Sequence, residues 1–195
     1  AGTDGQGELP AACSDATRGR VQGQRAESWM LAGDPDAAED AYEQLREGAE
    51  AGRFGDASDR LVWRAIHGLG DVARRCGEFD RAEELMETAA ERARAAGNER
   101  QAAVARMHLG VLAEYRGDLD RAERLLTGSL DDFADAGGPG DRADALDNLG
   151  IVYRKLGRYD DAAAAHRECL DIRRSLSDLA GEQRAVHNLG TLARH

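Results

Sequence analysis

The sequence has no long apolar run, few aromatic residues and almost no lysine. Its 195 residues contain no stretch of about 18 apolar residues, which excludes a membrane-spanning helix. Aromatic residues make up only 5% of the chain, proline occurs three times, and Lys155 is the single lysine among 26 basic residues. The length is that of one ordinary domain with enough chain to bury a core.

Cysteine is also scarce. The three cysteines, Cys13, Cys76 and Cys169, show no CxxC spacing, so the sequence predicts neither a disulfide framework nor a zinc site. We therefore expect a reducing, cytoplasmic setting in which Cys76 and Cys169 are small buried residues.

The charge balance excludes one large class of function. Acidic residues number 37 against 26 basic ones, for a net charge of −11. A general nucleic-acid binder needs a basic surface to neutralise phosphates, so nucleic acid is not an expected partner. Glycine, in contrast, is abundant at 23 positions, which is unusual for a chain rich in alanine and arginine.

The glycines belong to an internal repeat. Leu-Gly recurs every 40 residues, at Leu69-Gly70, Leu109-Gly110, Leu149-Gly150 and Leu189-Gly190. A glycine inside a helix costs about 1 kcal/mol relative to alanine, and close approach of a second helix is what offsets that cost. The repeated pair therefore predicts close helix–helix contacts at these four glycines.

A second motif, Gly-x-x-Asp-x-Ala, follows seven residues after the first three pairs, beginning at Gly77, Gly117 and Gly157. A fourth copy begins at Gly33, which is 44 rather than 40 residues before Gly77, so we place four extra residues in the loop around 52–55.

This motif predicts a tight turn between two helices. Glycine suits a left-handed helix C-cap, and the Asp three residues later suits the N-cap of the next helix. Glu39, Glu83 and Glu123 would complete capping boxes in three copies. Each repeat is thus predicted to be a helix, termed helix A, a turn, and a second helix, termed helix B, with no strands.

These motifs resemble the tetratricopeptide repeat, which has Leu-Gly in helix A, glycine at the turn and alanine early in helix B. The 40-residue period and the Asn148-Leu-Gly and Asn188-Leu-Gly triplets resemble a longer-helix subclass found in kinesin light chains, spindle-orientation adaptors and bacterial regulators. The resemblance implies an all-α, right-handed superhelical solenoid of stacked antiparallel helix pairs. The composition, with arginine in place of lysine, favours a bacterial source.

The predicted boundaries follow from the motif positions. Residues 1–16 are expected to be disordered and residues 17–195 to form the array. Its units would span 17–56, 57–100, 101–140 and 141–180, with a final helix A at 181–195.

Enzyme motifs are largely missing. The only lysine is followed by Leu156, so there is no Walker loop, and no HExxH or GxSxG motif occurs. Gly68-x-Gly70-x-x-Ala73 fits a dinucleotide fingerprint, but that motif requires a preceding strand, and here it falls inside a predicted helix. We expect no enzyme activity and no cofactor. A histidine metal site is also not expected, because the histidines of the repeats lie too far apart.

The resemblance implies that one face of the helices A binds a partner. In the family, six positions around the Leu-Gly pair face a concave groove. Carried onto this sequence, they give the following candidate partner-binding residues: Arg64, His67, Arg74, Arg75, Met107, His108, Tyr115, Asn148, Arg154, Lys155, Arg184, His187 and Asn188.

The charges on this predicted groove suggest the chemistry of the ligand. Over all 24 groove positions of the four repeats there are seven arginines and lysines, namely the six named above and Arg194. Four acidic residues, Asp71, Glu114, Asp144 and Asp147, share these positions, so the face is net basic and an acidic protein segment would suit it. The resemblance also implies that Asn148 and Asn188 hydrogen-bond the backbone of a bound peptide, as asparagines at this place do in the subclass, although a structural role for them is equally consistent with the sequence.

We therefore predict a non-catalytic protein–protein interaction module that binds a peptide or helix of a partner protein. Two alternatives stay open: the sensory part of a larger bacterial transcriptional or signalling regulator, and a homo-oligomeric scaffold, with the C-terminal end as a possible homodimer contact. Neither nucleic acid nor membrane is an expected partner.

Overall fold

The computed structural model describes residues 14–136 and 138–192. Within these ranges the chain forms nine α-helices, one short 3₁₀ turn at Gly55–Ala57, and no strand. The helices are α1 (Asp15–Ala32), α2 (Pro35–Glu50), α3 (Ser58–Cys76), α4 (Phe79–Ala95), α5 (Glu99–Tyr115), α6 (Leu119–Ala136), α7 (Pro139–Lys155), α8 (Tyr159–Ser175) and α9 (Leu179–Leu192). Residues 1–13 of the segment predicted to be disordered, 1–16, lie outside the described residues. Ser14 is the N-cap of α1, so residues 14–16 belong to the start of this helix.

The turn glycines adopt the predicted conformation. Gly33, Gly77, Gly117 and Gly157 have φ values of 78°, 82°, 82° and 75°. This left-handed region is open to glycine but costly for other residues, which explains the recurrence of glycine where each helix A ends.

The predicted N-caps are wrong by two residues. The cap of α2 is Asp34, and Asp118 accepts a hydrogen bond from the Arg121 amide at the start of α6. The repeated Asp, such as Asp36 or Asp120, instead lies in the first turn of the helix, where its charge interacts favourably with the helix dipole.

The predicted capping-box glutamates have a different role. Glu39 pairs with Arg81 at 2.5 Å, and Glu123 pairs with Arg158 at 2.8 Å. In each case the arginine stands in the turn or first helical turn of the next repeat, so these glutamates link successive repeats.

The four extra residues of the first repeat lie in the α2–α3 connection. This connection has seven residues, 51–57, whereas the α4–α5 connection has three, 96–98. Phe54 in this loop is buried and stands where side chains on Gly19 and Gly48 would collide with its ring. The insertion therefore adds an aromatic side chain to the core.

The described chain forms two units, residues up to Ala82 and residues from Glu83 onward. In the first unit α3 packs on α1 and α2. Gly68 faces the buried Tyr42, because a Cβ at position 68 would lie 2.3 Å from the Tyr42 ring. Gly68 and Gly70, which match the dinucleotide fingerprint, lie in the middle of α3. Position 68 requires glycine because the Tyr42 ring leaves no space for a side chain there.

In the second unit α5 to α9 pack in sequential order. One core cluster joins α5, α6 and α7 and contains Met107, Leu126, Phe133, Leu149 and Val152. Another joins α7, α8 and α9 through Leu146, Cys169, Leu170 and Ala185. Because α7 contributes to both clusters, the second unit has one continuous interior.

The predicted close contacts occur at two repeat glycines of this unit. A Cβ on Gly110 would lie 2.8 Å from Leu126 Cγ, and one on Gly150 would lie 2.6 Å from the His166 ring. Gly190 differs, since it is exposed and its Cβ position is open. No described helix follows α9 to cover it.

Cysteine burial was predicted correctly at one of two positions. Cys169 is buried in the second core cluster. Cys76 is exposed, because it is the last residue of α3 and no neighbouring helix covers that position.

We expect Gly110→Val to lower the free energy of unfolding by about 1–3 kcal/mol, since Leu126 is fully buried and cannot move aside easily. Gly190→Val is the matched control and should change stability by less than about 0.5 kcal/mol, because no atom opposes the new side chain. Urea denaturation of both variants, followed by circular dichroism, measures the difference. Equal midpoints would contradict the close-packing role of Gly110.

Candidate partner-binding face

The predicted basic residues of the first unit are already paired within the chain. Arg64 Nη2 lies 2.7 Å from Glu27 Oε1 on α1. Arg74 and Arg75 both contact Asp71, at 2.5 and 3.2 Å. The guanidinium groups on this part of α3 are therefore largely neutralised by carboxylates of the same unit.

His67 on α3 is a packed rather than an exposed residue. Its ring stacks on Trp63 with centroids 4.9 Å apart and planes inclined by 17°. Burial lowers the pKa of His67 below its usual value, which Asp71 partly opposes. The neutral ring thus contributes mainly to packing in the first unit.

The predicted residues of α5 differ in exposure. Met107 does not belong to a surface, because it is 6% exposed and lies in the core cluster formed with α6 and α7. His108 is half-buried, and Tyr115 at the end of the helix is 56% exposed. Of these three predicted residues, only Met107 is therefore interior, and Tyr115 lies at the surface.

Two basic residues end α7. Lys155 pairs with Glu114, which joins the ends of α7 and α5. Arg154 beside it is exposed, and within the described ranges no ion pair involves it. Arg154 is consequently the predicted residue whose charge is most available to a partner.

The two predicted asparagines use their amide nitrogens inside the unit. Asn148 Nδ2 donates to the Asp144 carbonyl oxygen at 2.9 Å, and Asn188 Nδ2 donates to Asp147 Oδ1 at 2.8 Å. A carbonyl or carboxylate oxygen can only accept, so both amides must point this way. The carbonyl oxygen of each asparagine is the atom left to receive a hydrogen bond.

Asp147 is at the centre of this end of the face. Its Oδ1 lies 3.0 Å from His166 Nδ1 on α8, in addition to the bond from Asn188 on α9. Burial acts to raise the pKa of Asp147, but the close His166 ring and the hydrogen bond from Asn188 outweigh it and hold the pKa below its usual value.

Asp144, one helical turn earlier, joins the same three helices. It pairs with the buried Arg173 of α8, which also contacts Asp178 at 3.0 Å. Arg184 of α9 lies 3.5 Å from the same carboxylate. The predicted groove residue Arg184 is thus loosely paired and still mostly exposed.

A cavity of about 510 Å³ opens between α7 and α9. Its lining comprises Asp147, Ile151, Ala180, Gln183, Arg184, His187 and Asn188. Three of the predicted residues, Arg184, His187 and Asn188, come together here. The cavity brings together acceptors, a cation and apolar side chains from α7 and α9, which are both helices A.

Sequence reasoning missed His166 and Arg173. Both lie on α8, a helix B, and neither occupies a groove position of the family pattern. A signal for His166 was present, because it stands where the other three repeats have Tyr42, Met86 and Leu126. A histidine in an apolar register indicates that a polar partner is close.

In the parts of the chain that the structure describes, no group of three or more His, Cys, Asp or Glu side chains is arranged to hold a metal ion. Over the same residues, no helix has the length and apolar character to cross a membrane.

Comparison with known families identifies the repeat. A family model described as tetratricopeptide repeat matches residues 62–133 and 101–175. The chain belongs to the tetratricopeptide repeat family. The predicted family and the all-α class of consecutively packed helix pairs are confirmed. Members of the family are generally non-catalytic protein-interaction modules. No curated protein sequence matches this chain.

Solved structures share the fold. BtubC (BKLC) from P. vanneervenii is 23% identical with a TM-score of 0.74, over 92% of this chain and 73% of that one. The Rap conjugation gene regulator of plasmid pLS20, in complex with the Phr* peptide, is 13% identical with a TM-score of 0.78, over 90% and 47%. A STAND protein with a tetratricopeptide repeat sensor from Pyrococcus horikoshii is 12% identical with a TM-score of 0.70, over 93% and 28%.

We expect Asp147→Asn to lower the free energy of unfolding by about 1–3 kcal/mol at pH 6, because it weakens the contacts with His166 and Asn188. A carboxylate whose pKa is lowered by folding stabilises the protein above its unfolded pKa of about 3.9, and this contribution is lost as the pH falls through the folded pKa. The difference between wild type and variant should therefore shrink toward pH 3.

Urea denaturation between pH 3 and pH 6 measures this difference. Asp171→Asn, at an exposed position of α8, is the control and should show no comparable loss. A difference for Asp147→Asn that is independent of pH would contradict the role of its charge.

Proposed function

We propose that this chain is a non-catalytic module that holds a segment of a partner protein against the face formed by α5, α7 and α9. The observation that carries the proposal is the cavity between α7 and α9, which combines hydrogen-bonding atoms with the side chains of Ile151 and Ala180. Such a mixture, in which a few polar atoms orient a ligand beside apolar surface, is typical of sites that take a segment of another molecule.

The arrangement of charge supports a partner segment whose two ends differ in chemistry. Near the end of α7, exposed Arg154 favours a carboxylate of the partner, since a guanidinium offers forked hydrogen bonds. In the cavity, Asp147 and Asn188 instead favour hydrogen-bond donors. The acidic ligand expected from the sequence is thus narrowed to a segment with an acidic side chain near Arg154.

Shape supports an extended or helical peptide rather than a small molecule. The candidate atoms are distributed along α7, from Asp144 to Arg154, which are ten residues apart, or about 15 Å in a helix. The internal pairs of Asp144, Lys155 and Arg184 hold their side chains before a partner arrives, which reduces the entropy lost on binding. The Rap structure that shares this fold contains a bound peptide, which is consistent with the proposal.

A second candidate function is the sensor part of a larger regulator. It is favoured by the STAND protein of similar fold, in which the repeats are described as a sensor and of which this chain spans 28%. If the chain is such a sensor, we expect it to come from a bacterium and to be located in the cytoplasm. Sequencing the gene region around this chain would support it by revealing an adjoining effector domain.

A homo-oligomeric scaffold is the third candidate. The exposed apolar side chains of Leu179 and Val186 on α9 favour it, with exposures of 72% and 49%. A dimer through the C-terminal end should persist on dilution in multi-angle light scattering. A monomeric mass across the concentration range would remove this candidate.

The groove proposal is tested with a displayed library of random peptides. Peptides selected on the wild-type chain should bind Arg154→Glu about tenfold more weakly, because the charge reversal removes a charge-assisted contact and adds repulsion. Arg124→Glu is the matched control, since Arg124 is an exposed arginine on α6 rather than on a helix A. Isothermal titration measures both affinities.

Two results would overturn the assignment of this face. One is equal affinity of the selected peptides for wild type and Arg154→Glu. The other is an equal loss with Arg124→Glu, which would show that net charge alone controls binding. Circular dichroism of each variant verifies that its helical content is retained.

A further inference from the structure

One buried position differs chemically between the repeats. Nine residues after each turn glycine, helix B carries Tyr42, Met86, Leu126 or His166. All four side chains are buried, with exposures of 5%, 0%, 0% and 1%. The last repeat alone places an imidazole there, although a buried polar group is costly unless a partner satisfies it.

The partner of His166 is Asp147. The imidazole packs on Gly150, where a Cβ would lie 2.6 Å from its Cε1 and Nε2 atoms. This contact directs Nδ1 toward Asp147 Oδ1, 3.0 Å away. The contact is a short but bent one, because Nδ1 makes no hydrogen bond of ordinary geometry although Asp147 Oδ1 is so close. A carboxylate has only acceptors to offer, so His166 is the side that can donate.

Asp147 connects the buried His166 ring to the cavity at the surface. Its Oδ1 also accepts a hydrogen bond from Asn188 Nδ2 at 2.8 Å, and both residues line the cavity between α7 and α9. One oxygen thus joins a buried ring on α8 to an amide on α9. With Oδ1 occupied from both sides, Asp147 Oδ2 and Asn188 Oδ1 are the acceptors that these two side chains retain for a ligand.

We propose that His166 is a positioning residue, which orients Asp147 and Asn188 so that the cavity accepts a hydrogen-bond donor of the partner, such as a backbone N–H. The nature of the ligand rests on the proposed function. The orientation of the two side chains does not, because it is a property of the chain alone.

The other charged groups near Asp147 do not replace His166. Asp144 lies one turn away on α7 and is engaged by Arg173 and Arg184. Arg173 reaches Asp144 and Asp178 rather than Asp147. Among the described residues, only His166 and Asn188 pair or hydrogen-bond with the Asp147 carboxylate, and Arg184 acts on it only as a nearby positive charge.

The sequence itself provides a variant that keeps the packing. His166→Leu installs the residue found at the equivalent Leu126, and His166→Met installs that of Met86. Each retains a side chain that this register already accommodates, but neither can donate a hydrogen bond to Asp147. His166→Gln is the rescue variant, since its amide can donate without carrying charge.

The first measurement needs no ligand. Nuclear magnetic resonance of the ¹⁵N-labelled chain follows solvent exchange of the Asn188 side-chain amide, with exposed Gln24 on α1 as an internal reference. We expect exchange at Asn188 to rise about threefold or more in His166→Leu, in line with the loss of support for one hydrogen bond, and to return toward wild type in His166→Gln. Gln24 should be unchanged in both.

The second measurement tests the ligand chemistry. N-methylacetamide carries an N–H donor and N,N-dimethylacetamide does not, while both carry the same acceptor. At equal concentration, N-methylacetamide should shift the Asn188 side-chain resonances more in the wild-type chain, and this preference should vanish in His166→Leu.

The outcomes separate the proposal from the proposed function. Unchanged Asn188 exchange in a folded His166→Leu or His166→Met chain would overturn the positioning role, as would a Gln variant that behaves like the Leu variant. Equal shifts with the two amides would overturn the assignment of a donor ligand. If no library peptide binds but exchange changes as expected, the positioning role stands and only the proposed function fails.

If both apolar variants fail to fold, His166→Tyr decides the question, because it installs the residue found at the equivalent Tyr42. A tyrosine has no nitrogen at the position of Nδ1, so exchange at Asn188 should rise as in the apolar variants. Unchanged exchange in that folded variant would overturn the proposal.

Discussion

The contact between helix B and the Leu-Gly glycine of helix A is the constraint on which the second unit depends. Leu126 packs on Gly110 and His166 packs on Gly150, each at a distance that leaves no space for a Cβ. Such contacts bring the two backbones of a repeat close together and fix how each helix A is rotated. The residues that face the α7–α9 cavity are therefore set by packing on the opposite side of the same helix.

Ion pairs between side chains also connect the helices, and they leave few of the charged groups on these helices without an opposite charge nearby. Glu39 and Glu123 link successive repeats through Arg81 and Arg158, while Asp144 collects Arg173 and Arg184. Exposed pairs of this kind contribute little stability individually, but the buried guanidinium of Arg173 requires its carboxylates. The internal pairing also reduces the number of positive charges that the predicted groove can offer to a partner, because most of its predicted basic residues already have acidic partners.

The prediction from sequence succeeded where a local rule decides the structure. Left-handed glycine at the turns follows from backbone sterics, so Gly77 and Gly117 identified helix ends correctly. It failed where neighbouring helices decide. Met107 and Cys76 were assigned to the wrong environments because exposure depends on which helix packs against each position. His166 was missed for the same reason, since its importance arises from Asp147 on another helix.

By itself, the sequence determined the repeat, the positions of its turns and the all-α class, because these depend on spacing and on the conformational preferences of single residues. The tertiary structure decided which side chains are available for binding. It paired Arg64 with Glu27 and Lys155 with Glu114, and it placed Asn188 beside Asp147. The physical reason is that hydrogen bonds and ion pairs act over only a few ångströms, so residues about 40 positions apart interact only after packing has placed their helices side by side.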